Sequence, residues 1–413
     1  LKVKATILSF WTSNKINLNV YLKNSVWILA GQIASLIIGM VLSVFLARYS
    51  SKEIFGEFNY ISSVFSLMLI FSIPGISSVV YRSLLEGKHG TYLLSIKKSI
   101  QFGFIGFFIL LCLALYYMLL DDNGLALSFF LLAFVFPFFQ AAQLWSNILN
   151  ANEKFKEVNI YGTIVLIINL LSVIFVLLFL PKKIEYLVLA AFASVLFINI
   201  FFFFKTKICL KNDYIDATWF KSSIKLSVPA LFSQFYAYID KIVLMMFFGA
   251  EMLAIYSIAV IPAEKLNNFM GALSRLFLPG LYKAELRDLK SYFFKALIYF
   301  VLLSVLFLFV FYWIIEFLIE WLYTNSYSDA VFPAQVYLLI IPFYLLTVFS
   351  GNVLIKERRE SFFSISVIIS SLVNIIAYFS LIPSYGIMGG VIGSVLYYFV
   401  QSMLRIYYIF KYL

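Results

Sequence analysis

The sequence predicts an all-α integral membrane protein of about twelve transmembrane helices, arranged as two pseudo-symmetric six-helix lobes around a central cavity. Three observations carry that expectation. Of the 413 residues, 63% are hydrophobic and only 12% charged, against about 25% charged in a soluble chain. Apolar runs long enough to cross a bilayer, about 20 residues each, recur along the whole length. Finally, a short pattern near the start of the chain returns in its second half.

The runs lie near 24–46, 58–80, 100–120, 125–149, 158–180 and 185–204, then near 226–249, 252–274, 296–322, 332–354, 362–382 and 387–409. An even number puts both termini on one side. With the N-terminus inside, the inner segments hold 25 lysines and arginines, while the outer segments hold four, Arg48, Lys52, Lys182 and Lys183. Positive charge is retained on the cytoplasmic side, so both termini are expected there. The net charge of +11 therefore records topology rather than nucleic-acid binding. Residues 1–21 lack the apolar core and small-residue cleavage site of a signal peptide. Cys112 lies in a span and Cys209 in a basic loop, and His89 is the only histidine. No disulfide framework or metal cluster is expected.

Glu53-Ile54-Phe55-Gly56-Glu57-Phe58-Asn59 matches Glu251-Met252-Leu253-Ala254-Ile255-Tyr256-Ser257 in type: acid, two apolar residues, a small one, a variable one, an aromatic and a small polar one. Pro181 is expected to close span five as Pro383 closes span eleven. The division is thus 1–204 for the first lobe, 205–225 for a cytoplasmic linker and 226–413 for the second. Six spans per lobe give the copies the same orientation, related by an axis along the membrane normal.

The segments LARYSSKEIFGEFNY after span one, DKIVLMMFFGAEMLAIYS across spans seven and eight, and SLIPSYGIMGGVIGSV into span twelve carry a family resemblance. The chain resembles the polysaccharide exporters of the multidrug, oligosaccharidyl-lipid and polysaccharide superfamily, which flip O-antigen and related repeat units. It departs from that pattern at Ala254, where a glycine is usual. The resemblance implies an undecaprenyl-pyrophosphate-linked oligosaccharide as cargo, moved across a bacterial inner membrane by alternating access. It implies neither cofactor nor nucleic acid. Membrane lipid, a polysaccharide polymerase and a chain-length regulator are the expected partners.

Polar residues at helical spacing mark the faces that would line such a cavity. Span eight carries Glu264, Asn268, Gly271 and Arg275 on one face, with Lys265 beside it. Span seven carries Gln234, Tyr238, Lys241 and Met245, with Ser233, Tyr236 and Asp240 on the next face. Gln140, Gln143, Asn147 and Asn150 form a stripe in span four, and Gln32, Ser35, Gly39 and Ser43 another in span one. An ionised side chain at mid-bilayer costs about 3 kcal/mol on insertion scales, so the charged stripes should face inward. Asp240 and Lys241 point about 100° apart on a helix and cannot satisfy each other. Glu264 is the expected partner of Lys241.

A pyrophosphate cargo needs cations along its path, and Arg48, Arg82, Lys241, Lys265 and Arg275 are the candidates. Asp240 and Glu264 would pair with them or couple transport, and Gln32, Gln140, Gln143, Asn147, Gln234 and Asn268 would line the cavity. Plainer readings stand beside these. Amide and small residues also serve helix packing, buried charges pair structurally, and Arg82 and Arg275 lie where snorkelling accounts for them. A cation-coupled drug exporter would use an acid within the first six spans, where none is found away from a loop or span end. A glycosyltransferase or polymerase would need catalytic carboxylates on a sizeable outer domain, and the longest outer loop has about nine residues. Topology is checked by reporter fusions: Asn123 and Ser328 should report the outside, Asp213 and Glu360 the inside.

Overall fold

The computed structural model describes residues 18–274 and 286–412, and among these the secondary structure is helical, without strands. Helix α1 (Leu18–Tyr49) leads directly to α2 (Lys52–Met68). Ser51 sets the boundary, because its hydroxyl accepts the Ile54 N–H at 3.2 Å and satisfies a donor left orphaned at the helix start. The expected second span does not continue straight to residue 80. Pro74 has no N–H and disfavours helix at the residue before it. The chain therefore passes through a 3₁₀ turn, Leu69–Ser72, and a left-handed Ile73 before restarting as α3 (Ile76–Leu85).

The first half continues as α4 (Gly90–Leu119), α5 (Asn123–Ala142), the short α6 (Trp145–Ala151), α7 (Phe155–Phe179) and α8 (Ile184–Lys207). The second half opens with α9 (Trp219–Ser274), whose backbone is non-helical at Gly249 (φ 77°, ψ −175°). It continues with α10 (Leu286–Tyr323), a 3₁₀ segment Asn325–Ala330, and α11 (Val331–Tyr337). It ends with α12 (Ile340–Lys356), α13 (Glu360–Tyr385) and α14 (Ile387–Tyr412). The segments either side of Leu338–Leu339 meet at 43°, next to Pro342, which cannot donate to the carbonyl a turn earlier. Pro383 does not end α13 as expected. The helix runs on to Tyr385 and stops at Gly386, whose φ is 56°.

Among the described residues, ten helices are long and apolar enough to cross a membrane. One of them, Trp219–Asn267, has 49 residues and would be about 73 Å long if straight, more than twice the hydrocarbon thickness. It is not straight. Tyr256 donates to Asp240 Oδ2 at 2.6 Å, although the two would stand about 24 Å apart along one helix. The chain turns back at Gly249, so the arms 219–248 and 250–274 are antiparallel neighbours. Counting these arms separately, and the bent pair as one, gives twelve crossings among the described residues.

Helix pairing follows the same plan in both halves. Packing of α4 on α5, α1 on α7, α7 on α8 and α5 on α8 in the first half is matched by α10 on α12, α9 on α13, α13 on α14 and α12 on α14 in the second. Between the halves, α2 lies along α9. The approach is close enough that a β-carbon on Gly56 would collide with the Ala250 carbonyl. At the same end, Phe55 meets Tyr327 edge to face with centroids 6.4 Å apart, and the Ser43 and Tyr323 hydroxyls are 2.9 Å apart.

The segment joining the halves is docked against the α3–α4 loop. Gly90 N–H donates to the Tyr214 carbonyl at 2.9 Å, His89 N–H to Asn212 Oδ1 at 3.2 Å, and Lys211 N–H to His89 Nδ1 at 3.0 Å. Asp216 accepts from Arg82 at 3.3 Å and from the Thr218 N–H at 3.0 Å. Donation from Thr218 holds the Asp216 carboxyl below its ordinary range. Burial, and then the Lys211 charge, hold His89 below 6.5.

Two predictions follow from these contacts. Gly249→Ala meets no steric neighbour, but its backbone region is essentially glycine-only, so it should cost about 1–3 kcal/mol, read as a lower thermal midpoint in detergent. Protonated His89 loses its acceptor nitrogen. Because its folded pKa is lowered, docking is stable above the ordinary histidine value and weakens as pH falls below it. Hydrogen exchange at the Lys211 amide, corrected for intrinsic rate, should therefore speed up between pH 7.5 and 5.5, and His89→Asn should flatten that dependence.

Candidate functional site

The reversal at Gly249 assembles the site. Asp240 and Tyr256 lie at nearly the same height on the two arms of α9. Asp240 is 6% exposed, and both its oxygens are engaged, one by Tyr256 and the other by the Lys241 N–H at 2.8 Å. Lys241 lies about 12 Å from the turn and Glu264 about 22 Å. Side chains lean toward the N-terminus of their helix, so on antiparallel arms these two lean toward each other. Lys241 Nζ reaches Glu264 Oε1 at 3.9 Å. The lysine side chain is 15% exposed and the glutamate 44%, so the pair stands at a mouth rather than in sealed protein.

Behind the pair is a cavity of about 300 Å³. Asp240, Lys241, Glu264 and Asn267 line it together with six tyrosines, Tyr236, Tyr238, Tyr337, Tyr344, Tyr378 and Tyr398. These come from α9, α11, α12, α13 and α14. Tyr236 stacks on Tyr397 with centroids 3.6 Å apart and meets Tyr398 edge on at 5.5 Å. The Tyr378 and Ser394 hydroxyls are 2.7 Å apart. The cavity lies wholly within the second half of the chain.

Lys265 points elsewhere. One residue on from Glu264, it is turned about 100° around the helix. Its ammonium lies against α1, where a β-carbon on Gly39 would stand 3.2 Å from Nζ. No carboxylate among the described residues lies within ion-pair distance of it. One helix thus presents Glu264 and Asn267 to its own half and Lys265 to the other.

The remaining expected residues are dispersed. Arg48 donates from Nε to the Leu322 carbonyl at 2.6 Å and from Nη2 to Trp321, capping orphan carbonyls at the end of α10. Arg82 is half-exposed and pairs with Asp216 and Glu86 beside the docked linker. Asn147 is buried and bonds Ser77 at 3.1 Å; Gln140 and Gln143 are half-buried near it on the same chain segment. Gln32 is exposed on α1, and Gln234 is half-buried on α9 outside the cavity lining. Asn268 lies on α9 with its side chain outside the described residues, and Arg275 lies outside them altogether. Among the described residues, no group of three His, Cys, Asp or Glu side chains could hold a metal.

Tyr337, Tyr344, Tyr378 and Tyr398 were not anticipated from the sequence. Tyrosine is abundant here, with 28 copies, and these four lie on four different helices. The seven-residue spacing of Tyr337 and Tyr344 was the only local signal.

A family model described as "Polysaccharide biosynthesis protein" matches residues 21–276. The chain belongs to that family. The chain is 27% identical over 297 residues, 66% of its own length and 68% of the other's, to a Shigella flexneri protein named "Putative O-antigen transporter". Its fold is similar to that of a structure described as "Lipid II flippase MurJ, inward closed conformation", with a TM-score of 0.70 at 16% identity over 94% of this chain and 88% of the other. A MOP superfamily transporter from Pyrococcus furiosus superposes with a TM-score of 0.66 at 11% identity, over 94% of each chain. An inward-facing MATE family transporter gives 0.64 at 10% identity, over 93% of this chain and 97% of that one.

For this family member, the Asp240–Tyr256 contact is the strongest internal tie of the reversal. Tyr256→Phe removes the hydroxyl from a buried carboxylate and should cost about 2 kcal/mol. Lys241→Gln, at the half-open mouth, should cost less. Thermal unfolding in one detergent ranks the two.

Proposed function

We propose that the protein is a flippase carrying an undecaprenyl-pyrophosphate-linked oligosaccharide across a bacterial inner membrane, making and breaking no covalent bond. Residues 1–204 and 226–413 act as two lobes that rock against each other on the docked linker 205–225, with both termini cytoplasmic. The observation that carries this reading is Lys265, a cation without a carboxylate partner among the described residues, whose ammonium rests against Gly39 of the opposite half. A lipid-linked pyrophosphate passing between the lobes meets a point charge there, inside the helical bundle, where solvent screening is weak. Arg275, on the sequence stripe through Glu264 and one face away from Lys265, would add a second cation to the path.

Arg48 serves differently in this reading. Its bonds to the end of α10, with the Gly56–Ala250, Phe55–Tyr327 and Ser43–Tyr323 contacts, close the outer end while cargo loads from inside. Alternating access requires those contacts to part as the lobes rock. The family match, the relative named as an O-antigen transporter and the flippase fold all support this reading. The polymerase and chain-length regulator of the same surface polysaccharide are its proposed partners.

A strain lacking the protein should accumulate undecaprenyl-linked repeat units and lose the surface polymer. Restoring the wild-type gene should clear the lipid. Lys265→Ala, present in the membrane at normal level, should lower polymer export about tenfold or more, as expected for about 1.4 kcal/mol of lost charge–phosphate interaction. Lys265→Arg should retain part of it. Full export by Lys265→Ala would overturn the role given to this lysine.

A further inference from the structure

The cavity of the second half is chemically unlike the Lys265 side of the same helix. Its walls are aromatic faces carrying hydroxyls, and its three charged side chains are each already engaged. Both Asp240 oxygens accept hydrogen bonds, and the nearest ammonium, Lys241, is turned to Glu264. A metal cation entering here would find no free carboxylate and an ammonium beside the one it met. A purely apolar molecule would leave polar wall groups dry.

One wall group asks for a partner. Asn267 is 7% exposed and lines the cavity, and among the described residues its Oδ1 has no hydrogen-bond partner. A buried amide oxygen without a donor carries a desolvation cost that a ligand O–H or N–H removes. The volume, about 300 Å³, falls at the small end of ligand sites, which combine aromatic walls with a few placed polar groups. A pyranose ring has that same mixed character, with apolar C–H faces to lay on tyrosine rings and hydroxyls at its edge that donate and accept.

The geometry points to this cavity as a saccharide subsite that takes a sugar of the lipid-linked unit while Lys265 holds the pyrophosphate between the halves. This rests on the flippase reading and adds a sugar-recognition element to it. Asn267 Oδ1 accepts from a sugar hydroxyl or acetamido N–H. Tyr238, half-buried near the mouth, covers the ring, and the Lys241–Glu264 pair offers a donor and an acceptor at the entrance. Because Lys265 and Glu264 are adjacent in sequence but turned apart, one short segment reads both ends of the glycosyl–phosphate link. The cargo is thus selected by its sugar as well as by its charge.

The test compares two probes by native mass spectrometry of the purified full-length protein: the glycolipid extracted from a strain lacking the protein, and bare undecaprenyl pyrophosphate. The wild type should bind the glycolipid about tenfold more tightly, the increment expected of about 1.4 kcal/mol from one bonded and stacked sugar. Asn267→Leu and Tyr238→Ala should each bring that ratio close to one while leaving the affinity for bare pyrophosphate unchanged. Lys265→Ala should weaken both probes alike. Should Asn267→Leu fail to fold, Tyr238→Ala, at a half-buried site, decides alone. A wild-type ratio near one, or a high ratio that survives both variants, overturns the subsite and leaves the flippase reading intact. Failure of both probes to bind the wild type instead removes the flippase reading itself, and the subsite with it.

Discussion

The chain reversal at Gly249 is the constraint on which the site depends. A backbone at φ 77° and ψ −175° is open to glycine and costly to any other residue. It returns the chain against itself without a loop, so that residues 16 and 23 positions apart become side-chain partners. Asp240 meets Tyr256, and Lys241 meets Glu264. Without the reversal, each of these groups would need a separate partner within the membrane, where no water answers for a missing one. The first half makes the equivalent corner with Ser51, whose side chain caps the following helix instead. The same register position therefore has two local solutions, one by a residue without a β-carbon and one by a capping hydroxyl.

The charged site belongs to one copy of the repeat. On the register that places Glu53 opposite Glu251, the positions matching Asp240, Lys241, Glu264 and Lys265 are Leu42, Ser43, Ser66 and Leu67. The corresponding region of the first half is filled by packing. Phe65 meets Phe136, Phe139 and Phe192 with centroids between 4.5 and 5.2 Å apart, and Tyr60 donates no charge but accepts the Tyr117 hydroxyl at 2.7 Å. At this register one half thus closes over an aromatic cluster while the other keeps a polar hollow; the first half has its own hollow of about 270 Å³ elsewhere, beside Ser77, Asn147 and Asn150. In the proposed flippase, asymmetry of this kind would suit an asymmetric cargo, with lipid at one end and sugar at the other.

Buried charge is handled elsewhere by carbonyls and rings. Arg405, counted with the inner-side charges in the sequence, is 3% exposed between α12, α13 and α14. It donates to the Thr347 carbonyl and the Ser366 hydroxyl, each at 2.8 Å, and lies 4.2 Å over the Phe363 ring. Arg48 is spent on the carbonyls of α10 in the same manner. Guanidinium groups suit this use because their donors are fixed in a plane and their hydration is weak. Lysine, a compact and strongly hydrated charge, is found instead at the mouth and between the halves.

The sequence by itself determined the fold class, the spans and the repeat, because hydropathy over about 20 residues reports burial in lipid directly and the motif at Glu53 recurs at Glu251. It also singled out Asp240, Lys241, Glu264 and Lys265, since a charge inside an apolar run is conspicuous whatever its surroundings. Tertiary structure decided which of these charges share a pocket. Adjacent residues on a helix face different neighbours, and the structure sets Glu264 against Lys241 while Lys265 lies against Gly39 of α1. It also decided the tyrosine wall and the Asn267 Oδ1 left without a partner among the described residues. Tyr337, Tyr378 and Tyr398 are ordinary membrane aromatics in one dimension, and they become a site only where α11, α13 and α14 converge. Helix ends were decided locally by backbone chemistry that a hydropathy window averages away, as Pro74 and Gly386 show.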